Sequence, residues 1–186
     1  LYLPAAKKKE KMKLFCENTD LCKITEDLIF TDPYRAAEQN RWTSPHLDPW
    51  IRKLQTDLPL KRAATEMKAR FLTSAQALIH GDLHSGSIMV NERETKVIVP
   101  EFAFYGPMGF DVGLLLANFL LGYFSQQGHE VRADERRPYE EWLLGQIQEI
   151  WTLFEGKFSH LWNDELKGDY LPPRMAGNPS QELLSL

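Results

Sequence analysis

Ala77-Leu78-Ile79-His80-Gly81-Asp82-Leu83-His84-Ser85-Gly86-Ser87-Ile88-Met89-Val90 is the stretch on which the fold turns. Its two ends, Ala77-Leu78-Ile79 and Ser87-Ile88-Met89-Val90, are short β-type runs, and the segment between them is a polar loop with one acidic residue, Asp82, near its middle. A third run, Lys96-Val97-Ile98-Val99, follows a polar turn at residues 91–95 and leads into Pro100-Glu101. On the N-terminal side, residues 60–76 are rich in helix formers. There Leu60, Ala64, Met67 and Phe71 recur at gaps of four, three and four, the apolar stripe of an amphipathic helix. On the C-terminal side, Gly106-Pro107-Met108-Gly109 interrupts the chain and Asp111 stands at an N-cap position. Residues 112–124 are then almost wholly apolar, which predicts a buried core helix. A last helix is expected from about Tyr139 to Trp162, with Leu143, Ile147, Ile150, Phe154, Phe158 and Leu161 on one stripe. Helices around a few short strands make the fold class α+β, mostly α.

The chain of 186 residues is long enough for one domain with a proper core and too short for two independent ones. With 43% hydrophobic and 26% charged residues, its composition argues against disorder and fibrous architecture. A formal net charge of -4 argues against a general electrostatic grip on nucleic acid or an anionic membrane, so small or metal-bridged ligands fit better. Residues 1–30 read as helical and then irregular, with Lys7 to Lys13 as a solvated face. The basic run Lys7-Lys8-Lys9 follows the apolar start, the reverse of an export signal, and residues 112–124 fall short of the roughly 20 needed to span a bilayer. The expectation is a cytoplasmic protein. Cys16 and Cys22 do not form a C-x-x-C pair and are expected to be reduced, buried thiols. Thr31-Asp32-Pro33 and residues 43–49 carry turn and helix-start signals, and the tail from Asn163 reads as loop.

Phosphoryl transfer from a nucleotide needs a carboxylate to orient and deprotonate the attacking hydroxyl, and acidic ligands to hold magnesium against the phosphates. Asp82 on its loop, and Glu101 at the exit of the next strand, are the residues placed for those tasks. The run from His80 to Ser87 resembles the catalytic loop of the aminoglycoside and choline kinases, which share a protein-kinase-like fold. One branch matches over most of the chain. Residues 78–90, then Pro100-Glu101-Phe102-Ala103-Phe104-Tyr105-Gly106-Pro107-Met108-Gly109-Phe110-Asp111, are similar to the S-methyl-5-thioribose kinase family, as are Phe15-Cys16, Asp32-Pro33-Tyr34 and Arg41-Trp42-Thr43-Ser44-Pro45. The resemblance implies a kinase-like C-terminal lobe spanning 1–186, with short strands flanking a catalytic region at 77–113. It implies transfer of the ATP γ-phosphate to the 1-hydroxyl of methylthioribose, a small sugar substrate. In that frame Asp82 is catalytic and substrate-binding, Val99, Pro100 and Glu101 line the cofactor, and Glu101 and Ser87 are the Mg2+ candidates. Ser87 stands where most such kinases place a magnesium-binding asparagine. His80 and His84 are taken as loop-packing residues. A metal chelate by His80, Asp82 and His84 has little support, because His46, His129 and His160 are scattered and no cysteine lies near in sequence.

Two departures from the pattern shape the expectation. The family's metal segment reads Asp-Pro-Glu, whereas this chain has Val99-Pro100-Glu101, and an isopropyl group cannot ligate magnesium. All eleven glycines lie at Gly81 or later, so no glycine-rich phosphate loop precedes the catalytic loop. The paired arginines with which the family holds its sugar are expected beyond Leu186, since Arg136-Arg137 sits in a charged linker. The sequence therefore predicts a truncated or degenerate copy, or a fragment, whose partner is the absent N-lobe and whose exposed docking surface favours association, for example as a homodimer. The alternatives are a non-catalytic kinase-like module and a kinase of another small alcohol, such as an aminoglycoside, choline or homoserine.

Overall fold

Proline and aspartate punctuate the helical part of the chain. The structure, a computed structural model, describes residues 18–164. Helix α1 (Thr19–Phe30) ends in a 3₁₀ turn at Asp32–Tyr34, where Pro33 fixes the backbone at the first turn. Helix α2 (Asp48–Thr56) has Pro49 in its first turn. Helix α3 (Leu58–Thr73) is opened by Asp57, whose carboxylate accepts from the Leu60 amide at 2.9 Å, with Pro59 just inside. Four three-residue strands follow: β1 (Ala77–Ile79), β2 (Ile88–Val90), β3 (Thr95–Val97) and β4 (Phe104–Gly106). The chain closes with α4 (Phe110–Ser125), a 3₁₀ turn at Gln126–His129 and the long α5 (Arg137–Asp164). This is the α+β, mostly helical architecture read from the sequence.

Contacts group the described residues into two compact units. One comprises 18–81 and 101–108. Its core is Ala64, Phe71, Ile79 and Phe104, all buried. The Phe71 ring meets Phe30 at 5.3 Å between centroids and Phe104 edge-on at 5.0 Å, a geometry that aromatic quadrupoles favour. Strand β1 pairs antiparallel with β4, with Ile79 opposite Phe104. Across the helices, Lys68 of α3 donates to Glu26 of α1 at 2.7 Å and to the Thr31 hydroxyl at 3.0 Å.

The other unit comprises 82–100 and 109–164. Strands β2 and β3 form a hairpin with Ile88 opposite Val97, and the Asn91 side chain closes its turn by accepting from the amides of Arg93 and Glu94 at 2.8 and 2.9 Å. Helix α4 packs along α5, on which Leu143 and Trp162 are buried and Phe154, Phe158 and Trp162 stack in succession at 5.4 and 5.5 Å.

Three sequence expectations change here. Strands β1 and β2 flank the loop as expected, but β1 pairs with β4, a strand that the sequence pattern did not announce. The N-cap of α4 is Gly109, and Asp111 lies one residue inside the helix, where its negative charge still suits the positive helix end. Helix α4 is apolar as expected but not buried: none of its residues is fully covered, and Leu121 and Phe124 are 68% and 71% exposed. A helix apolar on every side needs cover on every side, and packing along α5 supplies it on one. Among the described residues no helix is long and apolar enough to cross a membrane. Cys22 is a half-buried free thiol that burial pushes up from its ordinary pKa; Cys16 and the run Lys7 to Lys13 lie outside the described residues.

Candidate active site

The loop after β1 begins with a residue that only glycine can be. Gly81 has a φ of 84°, and a Cβ there would stand 2.3 Å from the Phe102 carbonyl oxygen. The same turn, Pro100–Phe102, is held by Asn18, whose amide donates to the Glu101 and Ala103 carbonyls at 2.8 and 2.9 Å. Glu101 itself points to solvent as an exposed residue of this first unit.

Asp82 opens the second unit, and three ties fix the loop that carries it. Ser87, only 2% exposed, donates its hydroxyl to the Asp82 carbonyl at 2.8 Å, while its amide reaches the His84 carbonyl at 2.9 Å. The Ser87 carbonyl accepts from the Ile98 amide at 2.9 Å, which joins the loop to the strand β3 side of the hairpin. From α4, the Asn118 side-chain oxygen accepts both the amide and the hydroxyl of Ser85, at 3.1 and 2.5 Å. An amide inside an otherwise apolar helix thus serves as the anchor of a loop 33 residues away. His84 completes the group: its Nδ1 accepts from the Gly86 amide at 3.1 Å, and its Nε2 lies 3.6 Å from the Asp82 carboxylate. The Asp82 side chain remains 36% exposed to solvent.

The structure therefore brings together Asp82, His84 and Ser87. Val99 and Pro100 are exposed at the end of the same unit, and Glu101 belongs to the other. Sequence reasoning passed over Asn18, Asn118 and His84 as contributors. Only Asn118 left a signal, a lone amide in a run of apolar residues. Val99 has a left-handed backbone, with a φ of 65°, which is a strained conformation for a β-branched side chain.

A model of the phosphotransferase enzyme family matches residues 11–150. The chain belongs to that family. Phosphotransferase relatives extend the match: methylthioribose kinase 1 of Oryza sativa subsp. japonica is 47% identical over 176 residues, 93% of this chain and 41% of the relative. The methylthioribose kinase of Escherichia coli is 50% identical over 167 residues, 90% of this chain and 40% of the relative. That of Bacillus velezensis is 43% identical over 173 residues, again 40% of its length. The chain thus spans about two fifths of the length of these relatives.

Phosphotransferases commonly use magnesium, which takes hard oxygen donors in octahedral order. Val99 offers no donor, the buried Ser87 hydroxyl is committed to the Asp82 carbonyl, and Glu101 is the one carboxylate in its segment. Among the described residues no three His, Cys, Asp or Glu side chains are grouped to hold a metal ion. Among the described residues, these donors by themselves do not make up an octahedral oxygen set.

Proposed function

We propose that this chain is the base-bearing lobe of an ATP-dependent methylthioribose kinase, with its catalytic region at 77–113. The observation that supports this reading best is the loop geometry: an accessible Asp82 on a backbone tied at Ser85 and Ser87, in a chain similar to methylthioribose kinases along nearly its whole length. In this reading Asp82 accepts the proton of the sugar 1-hydroxyl as that oxygen bonds the γ-phosphorus of ATP and the bond to the departing ADP oxygen breaks. A base so placed contributes roughly 10²–10⁴-fold. The phosphates are covered by a glycine-rich lobe that lies outside these 186 residues. Pro100 and Glu101 line the nucleotide, and Glu101 is the remaining magnesium ligand. With Val99 in place of a carboxylate, turnover is severely reduced.

The test is ATP-dependent phosphorylation by the complete polypeptide, offered methylthioribose, choline, homoserine and an aminoglycoside in parallel. The proposal expects slow transfer to methylthioribose that Asp82→Asn abolishes. Preference for another alcohol would overturn the substrate, and transfer unaffected by Asp82→Asn would overturn the role of Asp82. Absence of any transfer by both the natural chain and Val99→Asp would favour a non-catalytic kinase-like module, a reading that Val99 motivates.

A further inference from the structure

The imidazole of His84 is held from two sides. Its Nδ1 accepts a hydrogen bond from the Gly86 amide, so that nitrogen carries no proton. In a neutral imidazole the proton then sits on Nε2, the nitrogen facing the Asp82 carboxylate. The separation there, 3.6 Å, is longer than a hydrogen bond, and catalytic hydrogen bonds often tighten from such distances when substrate arrives. Gly86 contributes a second constraint. A Cβ at that position would stand 2.7 Å from Cε1 of His84 and 3.0 Å from its Nδ1, so the ring lies directly on the Gly86 backbone and needs a glycine beneath it. The backbone on both sides of the ring is tied as well, through Ser87 to the His84 carbonyl and through Asn118 to Ser85.

We infer that His84 is a positioning residue for Asp82: the loop locks its imidazole as the Nε2–H tautomer and presents that N–H to the carboxylate. This rests on the reading of Asp82 as the base of the proposed kinase. The lock also defines what His84 does not do. With Nδ1 engaged by the Gly86 amide and Nε2 already protonated, the ring has no vacant acceptor for a proton leaving Asp82. It orients the carboxylate and does not relay its proton.

Imidazole nitrogen NMR on the full chain in alkaline buffer, where imidazoles are neutral, tests the lock without any need for turnover. His84 is expected as a single Nε2–H tautomer. Its Nε2 signal should move on Asp82→Asn by more than those of the four other histidines, and Gly86→Ala, which displaces the ring, should return it to a mixed tautomer. A mixed or Nδ1–H tautomer in the natural chain, or an Nε2 signal indifferent to Asp82→Asn, overturns the inference. Kinetics of the complete polypeptide supply the second arm. His84→Asn places an oxygen near the Nδ1 position and keeps the Gly86 bond, but stops short of Asp82. Its kcat should fall roughly tenfold to a hundredfold with the KM for sugar little changed, and His84→Gln, which can extend an N–H towards Asp82, should recover part of the loss. Equal kcat for His84→Asn and the natural protein would refute the positioning role. If the natural polypeptide shows no transfer at all, the kinase reading fails by itself, and the tautomer still decides the lock.

Discussion

Val99 is the residue where chain and fold disagree. A β-branched side chain in the left-handed region costs about 1–3 kcal/mol, whereas asparagine and aspartate tolerate it. Its φ of 65° is therefore what a carboxylate- or amide-bearing residue would adopt with less strain, at the position where the family resemblance leads one to expect aspartate before Pro100-Glu101. Val99→Asn and Val99→Asp should each stabilise the chain by about 1 kcal/mol, seen as a rise of roughly 2–4 °C in the melting midpoint. Only the aspartate variant should gain a further rise on adding magnesium with nucleotide in the complete polypeptide. Two equal responses to magnesium would separate the strain from any metal site. Gly81 is the converse case. Its φ of 84° and its 2.3 Å approach to the Phe102 carbonyl leave no room for a side chain, so Gly81→Ala should lower the denaturant midpoint by the equivalent of about 2 kcal/mol or more. A midpoint within error of the natural chain would show that the turn at Phe102 yields.

At the scale of elements, what local pattern specifies was legible and what distant partners specify was not. Helix α3 forms where its period placed it, because helix periodicity is local, but of its stripe only Ala64 and Phe71 are buried, whereas Leu60 and Met67 are 38% and 45% exposed. Strand β4 was missed because three residues, Phe104-Tyr105-Gly106, carry almost no period of their own and become a strand only by pairing with β1. Asp82 was singled out through its run of flanking residues; the ties from Asn118 and Asn18 were not legible, since each joins positions that sequence spacing cannot relate. The same holds for the ion pair that joins α1 to α3. The Lys68 ammonium beside Glu26 holds its carboxyl below the usual range, with help from Lys23 and against the pull of burial. A carboxylate depressed in the folded state stabilises above its unfolded value, and that contribution is lost as pH falls through the folded one. Glu26→Gln should therefore lower the urea midpoint near neutral pH. The difference from the natural chain should shrink in acid, below the ordinary glutamate pKa of 4.5. A difference independent of pH would assign the loss to packing instead of charge. Lys23 also pairs with Asp27 on the open side of α1, and that exposed pair is not expected to contribute measurably.

For the molecule as a whole, the decisive quantity is how much apolar surface it leaves uncovered. The sequence showed that residues 112–124 are apolar, but periodicity cannot say whether enough chain is at hand to cover a helix on all sides. In the described residues it is not. Leu121 and Phe124 on α4 are 68% and 71% exposed, and Trp142 and Leu153 on α5 are about half exposed, at 49% and 52%. Removing an exposed side chain sacrifices little transfer free energy, because that surface is already in water. The double substitution Leu121→Lys and Phe124→Lys should therefore change the unfolding free energy of the isolated 186-residue chain by no more than about 1 kcal/mol. Lysine is also as good a helix former as leucine, so α4 has no intrinsic reason to fray. The pair would take the formal net charge from -4 to -2, so any loss of self-association could not come from greater charge repulsion. Light scattering should show less self-association in the double variant, since two large exposed apolar side chains of α4 are removed and not because the chain is more highly charged. A loss of several kcal/mol would mean that Leu121 and Phe124 are buried in the folded chain. Unchanged scattering would mean that association, where it occurs, runs through another face.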